Sequence, residues 1–554
     1  MPAPMPLTQC DPPTLDWSRP GTPAATNFGD IYFSTDGGLA ETQTVFLKGC
    51  GLPEAWQKRS RFVIGELGFG SGLNFLAAWQ LWDSRKPEGG RLHFISVEKY
   101  PFDAQQLTQA LSAWSELDNY SAQLIDQWPG RVKGFHRLHF GDVTLTLIHD
   151  DIALALDDLD AKVDAWFLDG FSPAKNPDMW SAEIMRKLAV LSAPAARVAT
   201  FTVAGHVREA LTAAGFTVEK KTGFGRKRHR LEAVYPGEPE LEAPIPKPTI
   251  IGSGIAGASL VRAFARRGIR PTIVHDPEHP AASHNAAALV MPRWDLQDRP
   301  ESRFFLASYL YALQAYKPHT LMKGIRHIPK SEAESLRFKK LMTQAPLPPE
   351  HFKYDEDTDQ LVLDCALVIE PKSALSGWLA DTPLSSGVSK ANGLTLLAAG
   401  YGVKTLLKTL DISLRFSRGQ LTWAEGTIKA PLIYGGYALP LKDGLLLGAT
   451  HHALDGSDPF ELKAEDDIEN LGGLEKFGGI KVVQSDRKSR ASVRVTTVDT
   501  LPKIGKISAD QWLFTGLGSR GFVFAPLLAE AIVSKICGDP LPISKSAWDR
   551  FEIQ

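Results

Sequence analysis

Asp169 is an acid placed where an amine could be activated for alkylation. It ends the apolar run AWFLD at 165–169, and a loop rich in proline and aromatic residues follows, GFSPAKNPDMW at 170–180. A carboxylate there can accept a hydrogen bond from an amine N–H and take the proton that a primary amine carries at neutral pH. In an in-line methyl transfer, positioning is the protein's main contribution. We predict Asp169 as a catalytic residue, with substrate contacts from Phe171, Pro173, Asn176 and Trp180. The alternative is that Asp169 only caps the next helix.

A glycine loop and two further acids precede Asp169 in the chain. The apolar run RFVIGEL at 61–67 enters a GxGxG loop, Glu98 ends the next predicted strand, and Asp150 and Asp151 end a later one. Such loops let a ligand approach the backbone at the carboxyl ends of parallel strands. Strand-end acids can hold ribose hydroxyls and an adenine amine, which suits S-adenosylmethionine better than a dinucleotide with its pyrophosphate. The predicted cofactor residues are Glu66, Gly68, Gly70, Gly72, Glu98 and Asp151. The alternative is a tight turn without a ligand.

A second glycine loop opens the C-terminal half of the chain. Gly252, Gly254 and Gly257 follow the run TII at 249–251, and Asp276 ends the next predicted strand 19 residues after Gly257. This is the dinucleotide fingerprint between a strand and a helix, with an acid for the ribose. A late glycine turn, TGLGSRG at 515–521, enters a long apolar helix whose positive end suits the anionic edge of a reduced flavin. We therefore predict FAD, bound by Gly252, Gly254, Gly257, Asp276, Gly400, Gly518, Arg520 and Gly521.

A basic cluster lies at 220–230, near the end of the N-terminal half. It reads KKTGFGRKRHR, with Lys227 and Arg228 at its centre. Phosphates of a nucleic acid attract such charges. We predict that Lys227 and Arg228 contact the phosphates of a nucleic acid. The alternative is a solvated face with no partner.

The elements that position these residues form two α/β units. Apolar runs alternate with helical stretches in each half, which predicts βαβ units around parallel sheets. The run PGEPELEAPIPKP at 236–248 is a predicted linker. We predict a Rossmann-like domain at 1–235 and an FAD domain with a mixed-sheet substrate subdomain at 249–554.

Composition excludes several classes of protein. The 554 residues exceed what one domain usually contains, and 44% hydrophobic with 22% charged residues excludes a disordered chain. No run reaches the length of a membrane helix, and the N-terminus lacks the pattern of a signal peptide. Four scattered cysteines suit a reducing cytoplasm. A net charge of -2 means that any nucleic-acid surface is a local patch. The pair His451-His452 lacks an evident third ligand, so no metal site is predicted, and a monomer is expected.

Three stretches of the N-terminal half resemble the methyltransferase half of the MnmC family. They are DIYFSTDGGLAETQTVFL at 30–47, ELGFGSGLNFL at 66–76 and FLDGFSPAKNPDMW at 167–180. This family is bifunctional and makes 5-methylaminomethyl-2-thiouridine in tRNA. The resemblance implies S-adenosylmethionine-dependent methylation of an aminomethyl group on a wobble uridine.

The C-terminal half resembles the D-amino-acid and glycine oxidase superfamily. The likeness rests on the fingerprint, TLLAAGYG at 395–402 and TGLGSRG at 515–521; with SHNAAALVMP at 283–292 these pieces also resemble the oxidase half of MnmC. The stretch from Arg494 to Gly505 resembles the part of glycine-type oxidases whose arginine holds the substrate carboxylate. Arg494 is therefore predicted as a catalytic residue, with Arg490, Arg293 and Arg520 as competitors. The half looks shortened between Pro371 and residue 395.

Together these features predict a bifunctional enzyme of tRNA modification. Its FAD half removes the carboxymethyl group from 5-carboxymethylaminomethyl-2-thiouridine, and its other half methylates the resulting amine. One alternative is a small-molecule amine methyltransferase fused to an amino-acid oxidase. Another is an active methyltransferase joined to a non-catalytic FAD-like module that binds tRNA.

Overall fold

The structure is a computed structural model. It describes residues 5–18, 22–34, 37–225, 227–239, 245–276, 281–386, 393–406 and 412–553. Arg226 and residues 240–244 of the predicted linker lie outside the described residues. The chain divides into two compact units. The first consists of Thr8–Pro244 and Ser534–Ser546, and the second of Met1–Leu7, Ile245–Val533 and Ala547–Gln554.

The first unit is built on an eight-stranded sheet. Its strand order is β10-β11-β9-β8-β4-β5-β7-β6. The five strands from β9 to β7 are parallel to one another. The strands β6, β11 and β10 pair antiparallel with their neighbours. A small sheet precedes it. The strands are β1 (Leu15–Asp16), β2 (Ala24–Ala25), β3 (Asp30–Ile31), β4 (Arg61–Leu67), β5 (Arg91–Glu98), β6 (Gly134–Phe140), β7 (Val143–His149), β8 (Val163–Leu168), β9 (Ser192–Thr200), β10 (Thr217–Thr222) and β11 (His229–Val234).

Helices cover both faces of this sheet, as the apolar runs predict. Phe62 and Ile64 of β4 join one hydrophobic core and Val63 and Leu67 the other, because side chains alternate along a strand. The helices are α1 (Gly38–Glu41), α2 (Leu73–Arg85), α3 (Ala104–Leu111), α4 (Asp118–Asp126), α5 (Ile152–Asp158), α6 (Ala182–Leu191) and α7 (Gly205–Ala213).

The second unit holds two sheets. The first sheet has the strand order β18-β13-β12-β19-β27-β26 and is parallel except for β26. The second is a mixed sheet with the order β14-β17-β15-β21-β22-β23-β20-β24. In it, β16 also pairs with β17 and β25 with β20. The strands of the first are β12 (Thr249–Ile251), β13 (Thr272–His275), β18 (Leu384–Ser386), β19 (Thr395–Leu397), β26 (Lys503–Lys506) and β27 (Gln511–Thr515). The second contains β14 (Ala288–Val290), β15 (Thr320–His327), β16 (Lys353–Asp355), β17 (Gln360–Ile369), β20 (Leu414–Ala424), β21 (Leu432–Ile433), β22 (Tyr437–Leu441), β23 (Gly444–Gly448), β24 (His452–Ala453) and β25 (Arg490–Thr497).

The remaining helices are α8 (Ile255–Ala265), α9 (Pro300–Tyr316), α10 (Glu332–Gln344), α11 (Pro371–Leu379), α12 (Val403–Leu406), α13 (Ala464–Gly478), α14 (Gly521–Cys537) and α15 (Lys545–Phe551). Between Pro371 and residue 395, the stretch that looks shortened contains α11 and the short strand β18. A search of the described residues finds no helix with the length and apolar character needed to cross a membrane.

Candidate functional site

The glycine loop of the first unit brings the ends of β4 and β8 together. Gly68 and Gly70 have φ of 92° and 53°, a region that residues with a Cβ rarely adopt. A Cβ on Gly68 would lie 2.9 Å from the Asp169 carbonyl oxygen, and one on Gly70 would lie 3.1 Å from the Tyr32 ring. The loop therefore passes directly beside Asp169, with Gly72 preceding α2.

Glu98 retains free acceptor capacity beside this loop. One carboxylate oxygen accepts from the Gly70 N–H at 2.9 Å and the other from the Tyr100 N–H at 2.8 Å. Burial raises the pKa of Glu98. A carboxylate has about four acceptor positions, so the backbone N–H groups leave acceptor capacity for a ribose hydroxyl. Glu98 thus fits the predicted contact with S-adenosylmethionine.

Asp151 is more heavily engaged than Glu98. It caps α5 by accepting from the Ala153 N–H at 3.0 Å, and its other oxygen lies 3.0 Å from Nζ of Lys99. About a third of its side chain is exposed. An adenine contact by Asp151 stays a prediction.

A buried polar network lies beneath the loop. Asn74 Nδ2 donates to Glu66 at 2.9 Å and to Asp169 at 2.6 Å, and Ser96 Oγ donates to Glu66 at 2.6 Å. Glu66 is only 1% exposed, and its burial raises its pKa well above the usual range. Glu66 therefore supports Asp169 through Asn74 and has almost no exposed surface to offer a cofactor.

Asp169 itself is partly exposed at the end of β8. Burial raises its pKa to about 7; the Asn74 hydrogen bond and the charge of Lys227 oppose this shift, while Glu41 adds to it. A carboxylate with that pKa changes its charge near neutral pH and can exchange a proton with an amine. The arrangement is compatible with the predicted role of Asp169 as a base, which stays a prediction here.

Aromatic rings cluster around Phe171, which lies in the loop that follows Asp169. Phe171 stacks on Phe28 with ring centroids 4.7 Å apart, and Tyr32 packs edge-on against Phe171 at 5.2 Å. Trp180 is 1% exposed and donates from Nε1 to the Phe171 carbonyl at 2.8 Å. Trp180 therefore supports the loop from the core instead of lining the pocket.

The other two predicted substrate residues, Pro173 and Asn176, lie within the loop. Pro173 is buried, and Asn176 lies in contact with Met179, its Nδ2 3.6 Å from the sulfur. Sequence reasoning did not single out Phe28, Tyr32, Glu41 or Asn74. Three of these lie within the stretches that carry the family resemblance, at 30–47 and 66–76, which was the available signal.

The basic cluster is largely paired within the first unit. Lys227 Nζ lies 3.1 Å from Glu41, and Arg230 lies 2.6 Å from Glu232. Arg228 and Lys220 are exposed. Of the two predicted tRNA contacts, Arg228 is available at the surface, and Lys227 is directed toward the neighbourhood of Asp169.

The glycine loop of the second unit has the geometry of a dinucleotide turn. Gly252 has φ of 114°, and a Cβ on Gly257 would lie 1.8 Å from the Gly252 carbonyl oxygen. Helix α8 starts at Ile255, whose N–H donates to Ser283 Oγ at 3.1 Å, and a Cβ on Gly254 would lie 3.0 Å from that oxygen. Asp276 follows β13 directly. The close packing requires glycine at these positions, as a dinucleotide-binding turn does.

A second helix N-terminus meets the first. Gly518 has φ of 56° in the late turn, and α14 starts at Gly521, where a Cβ would lie 3.2 Å from the Ile255 side chain. Two positive helix ends therefore converge, which suits an anionic cofactor. Gly400 has φ of 53° in the turn after β19. These residues fit FAD.

Arg494 is a half-buried cation in the mixed sheet. It lies on β25 opposite Ser417 of β20, and its guanidinium donates to the Thr450 carbonyl at 3.1 Å. Burial lowers its pKa, and the nearby Tyr437 opposes that shift. Among the described residues, no carboxylate lies within ion-pair distance of Arg494. This is the environment that a substrate carboxylate would complete.

The three competing arginines differ in how far they are engaged. Arg490 donates to Asn285 and to the Ala281 carbonyl, and Arg293 donates to Thr500 at 3.1 Å. The pKa of Arg520 is lowered to about 10 by burial and by two neighbouring arginines. Arg520 lies in the late turn at the start of α14, as expected for a cofactor contact.

His452 lies beside two carboxylates that are distant from it in the sequence, Asp466 and Glu469. His452 Nε2 lies 3.1 Å from both Asp466 and Glu469, so the histidine pair has acidic neighbours after all. Asp466 also accepts a hydrogen bond from Arg418. These side chains form an ion-pair network.

Comparison with known proteins matches both units. A model of S-adenosyl-L-methionine-dependent methyltransferases matches residues 115–236, and one of FAD dependent oxidoreductases matches residues 366–535. Proteins named tRNA 5-methylaminomethyl-2-thiouridine biosynthesis bifunctional protein MnmC are similar over nearly the whole chain. The one from Maricaulis maris is 40% identical over 96% of this chain and 93% of its own length. The one from Caulobacter vibrioides is 38% identical over 97% of both.

Proposed function

Because this chain belongs to the MnmC family of bifunctional tRNA-modification proteins, we propose that it carries out two successive reactions on a wobble uridine of tRNA. The first oxidatively removes the carboxymethyl group from 5-carboxymethylaminomethyl-2-thiouridine and leaves an aminomethyl group. The second methylates that amine. The observation that carries the proposal is that one chain holds both a half-buried carboxylate with a raised pKa and a half-buried arginine, for which the described residues offer no carboxylate partner.

In the first unit, Asp169 is the base for the methylation. Its pKa of about 7 lets it accept a proton from the incoming ammonium, and the hydrogen bond from Asn74 fixes its orientation. Phe171 and Tyr32 exclude water around the amine, which strengthens the charge interactions there. Glu98 holds the ribose of S-adenosylmethionine.

In the second unit, Arg494 anchors the carboxylate of the first substrate. The carboxymethylaminomethyl group is in effect an N-substituted glycine, and a guanidinium binds such a carboxylate through two hydrogen bonds. Gly252, Gly257, Asp276 and the start of α14 hold FAD. When bound, S-adenosylmethionine supplies the methyl group and FAD the oxidising capacity.

The carboxylate directs the order of the two reactions. Arg494 holds the substrate that carries the carboxylate. The amine formed by the oxidation lacks the carboxylate and suits the site of Asp169. Arg228 supplies a phosphate contact at the surface of the first unit. We also propose that the enzyme is a monomer, because both sites are present in one chain, and that it is cytoplasmic, because its proposed substrate is tRNA.

The experiment follows the wobble nucleoside by mass spectrometry. Unmodified enzyme is incubated with tRNA carrying the carboxymethylaminomethyl group, with and without S-adenosylmethionine. Without it, the aminomethyl nucleoside should accumulate; with it, the methylaminomethyl nucleoside should form. A colourless protein that performs only the methylation would contradict the oxidase assignment. Turnover of glycine or sarcosine with no change in tRNA would contradict both assignments.

A further inference from the structure

The ammonium group of Lys227 has an unusual environment for a residue of a basic cluster. Its Nζ lies 3.1 Å from a carboxylate oxygen of Glu41 and 4.0 Å from the centroid of the Phe201 ring. Both Lys227 and Glu41 act on the charge of Asp169, so all three groups lie in one electrostatic neighbourhood. A carboxylate and an aromatic face are the two features that protein sites use to recognise ammonium groups.

These groups converge at one edge of the sheet from separate parts of the chain. Asp169 follows β8, Phe201 follows β9, Glu41 ends α1, and Lys227 lies between β10 and β11. The Glu41 side chain is only 14% exposed, so its charge is directed inward. Ionised carboxylates are rarely sheltered without a cationic partner.

Only the side chain of Lys227 has to move for this site to open. The Lys227 N–H donates to the Phe224 carbonyl at 3.0 Å, and Gly223 N–H donates to the Arg228 carbonyl at 3.0 Å, which closes the hairpin backbone. The Lys227 side chain itself is 48% exposed. Its ammonium can therefore exchange with another cation while the hairpin stays formed.

We propose that Glu41 and the face of Phe201 form the subsite for the aminomethyl ammonium of the tRNA substrate, and that Lys227 fills this subsite until the substrate displaces it. This inference rests on the proposed function of the first unit. The substrate group, a methylene bearing an ammonium, matches the end of a lysine side chain in charge and shape.

The test measures kcat and KM for methylation of aminomethyl-uridine tRNA. Lys227→Ala removes the competitor and should lower KM about threefold, as expected for an exposed ion pair. Glu41→Gln removes the ion pair with the substrate ammonium, and Phe201→Leu removes the cation–π contact with it. Each variant should therefore raise KM about tenfold. Phe201→Tyr keeps the aromatic face and should retain the KM of the unmodified enzyme.

The pH profile gives an independent readout. The acid limb of kcat/KM reports the free enzyme, in which Lys227 fills the subsite. Glu41→Gln removes a charge that raises the pKa of Asp169, so this limb should move to lower pH, and Lys227→Ala should move it to higher pH. Lys58→Ala, an exposed lysine of the same unit, is the matched control and should change neither parameter. Calorimetric binding of S-adenosylmethionine and the melting temperature confirm that each variant is folded.

The sign of the Lys227→Ala effect decides the outcome. A raised KM would mean that Lys227 binds RNA directly, and unchanged KM in Glu41→Gln and Phe201→Leu would remove their assigned role; either result overturns the inference. If the unmodified enzyme does not methylate aminomethyl-uridine tRNA at all, it is the proposed function that fails.

Discussion

Asn74 donates a hydrogen bond of 2.6 Å to the carboxylate of Asp169. Its second N–H donates to Glu66 at 2.9 Å, and its oxygen accepts from Thr42 Oγ1 at 2.7 Å. The amide is thus fixed by three partners, and it connects the buried acid below the glycine loop to the acid in the site. Asn74 is a positioning residue that acts through Asp169.

Replacing Asn74 should impair methylation and leave oxidation intact. Asn74→Ala removes one donor from each of two carboxylates and leaves Glu66 with Ser96 alone. An unsatisfied buried acceptor costs about 1–3 kcal/mol. We expect kcat for methylation to fall roughly 10- to 100-fold, because Asp169 loses its fixed orientation. Steady-state assays of both half-reactions measure this, with Asn119→Ala on the exposed face of α4 as the control. Equal losses in both reactions would indicate general unfolding.

Methylation should depend on pH through Asp169. Its pKa is raised to about 7, and only the ionised form accepts a proton from the amine. The rate at saturating substrate should therefore rise with pH and level off above about 7. Asp169→Asn should abolish most activity at every pH. Full activity of Asp169→Asn would contradict the role of Asp169 as base.

The same pKa has a consequence for stability with the opposite sign. Because the folded state binds the Asp169 proton more tightly than the unfolded state, the free energy of unfolding falls as pH rises from about 4 to 7. Asp169→Asn removes this dependence. At pH 8, we expect the free energy of unfolding of the variant to exceed that of the unmodified protein by up to about 2–4 kcal/mol. The variant should therefore melt at a higher temperature at this pH. Thermal melts of both proteins at pH 5 and pH 8 measure the difference. An Asp169→Asn protein that melts below the unmodified protein at pH 8 would contradict the prediction.

Local patterns of the chain predicted the elements and the two loops of the site. The apolar run RFVIGEL at 61–67 is β4, and the glycines after it turn where their positive φ is required. Asp169 follows β8 as expected from AWFLD. These features depend on neighbouring residues, so a single stretch of sequence contains the information.

Contacts between distant residues could not be predicted in this way. Lys227 lies 186 positions from Glu41, and no pattern within the basic cluster indicates that one of its charges is paired inward. The aromatic content of the loop at 170–180 likewise does not distinguish Phe171 at the pocket from Trp180 in the core, because both are large and apolar. Only the packing of separate elements decides such roles.

Arg494 should affect oxidation alone. Arg494→Lys keeps the positive charge but loses the paired donors of the guanidinium, so we expect kcat/KM for the carboxymethyl substrate to fall about 10- to 100-fold. Methylation of aminomethyl-uridine tRNA should not change. Arg415→Lys, on the exposed face of the neighbouring strand β20, is the control. Normal oxidation by Arg494→Lys and Arg494→Ala would transfer the anchor role to Arg490, Arg293 or Arg520.

Gly257 should be essential for FAD binding. A Cβ there would lie 1.8 Å from the Gly252 carbonyl oxygen, so Gly257→Ala must push the loop away from α8. Gly472→Ala is the matched control, since Gly472 lies in α13 with no atom within 4 Å of an added Cβ. In a helix this control should be neutral or stabilising by up to about 1 kcal/mol. We expect Gly257→Ala to purify without flavin absorbance and Gly472→Ala with it. Methylation should persist in Gly257→Ala, because its site is built entirely from the first unit; a Gly257→Ala protein that retains full flavin absorbance would contradict the assignment of this loop.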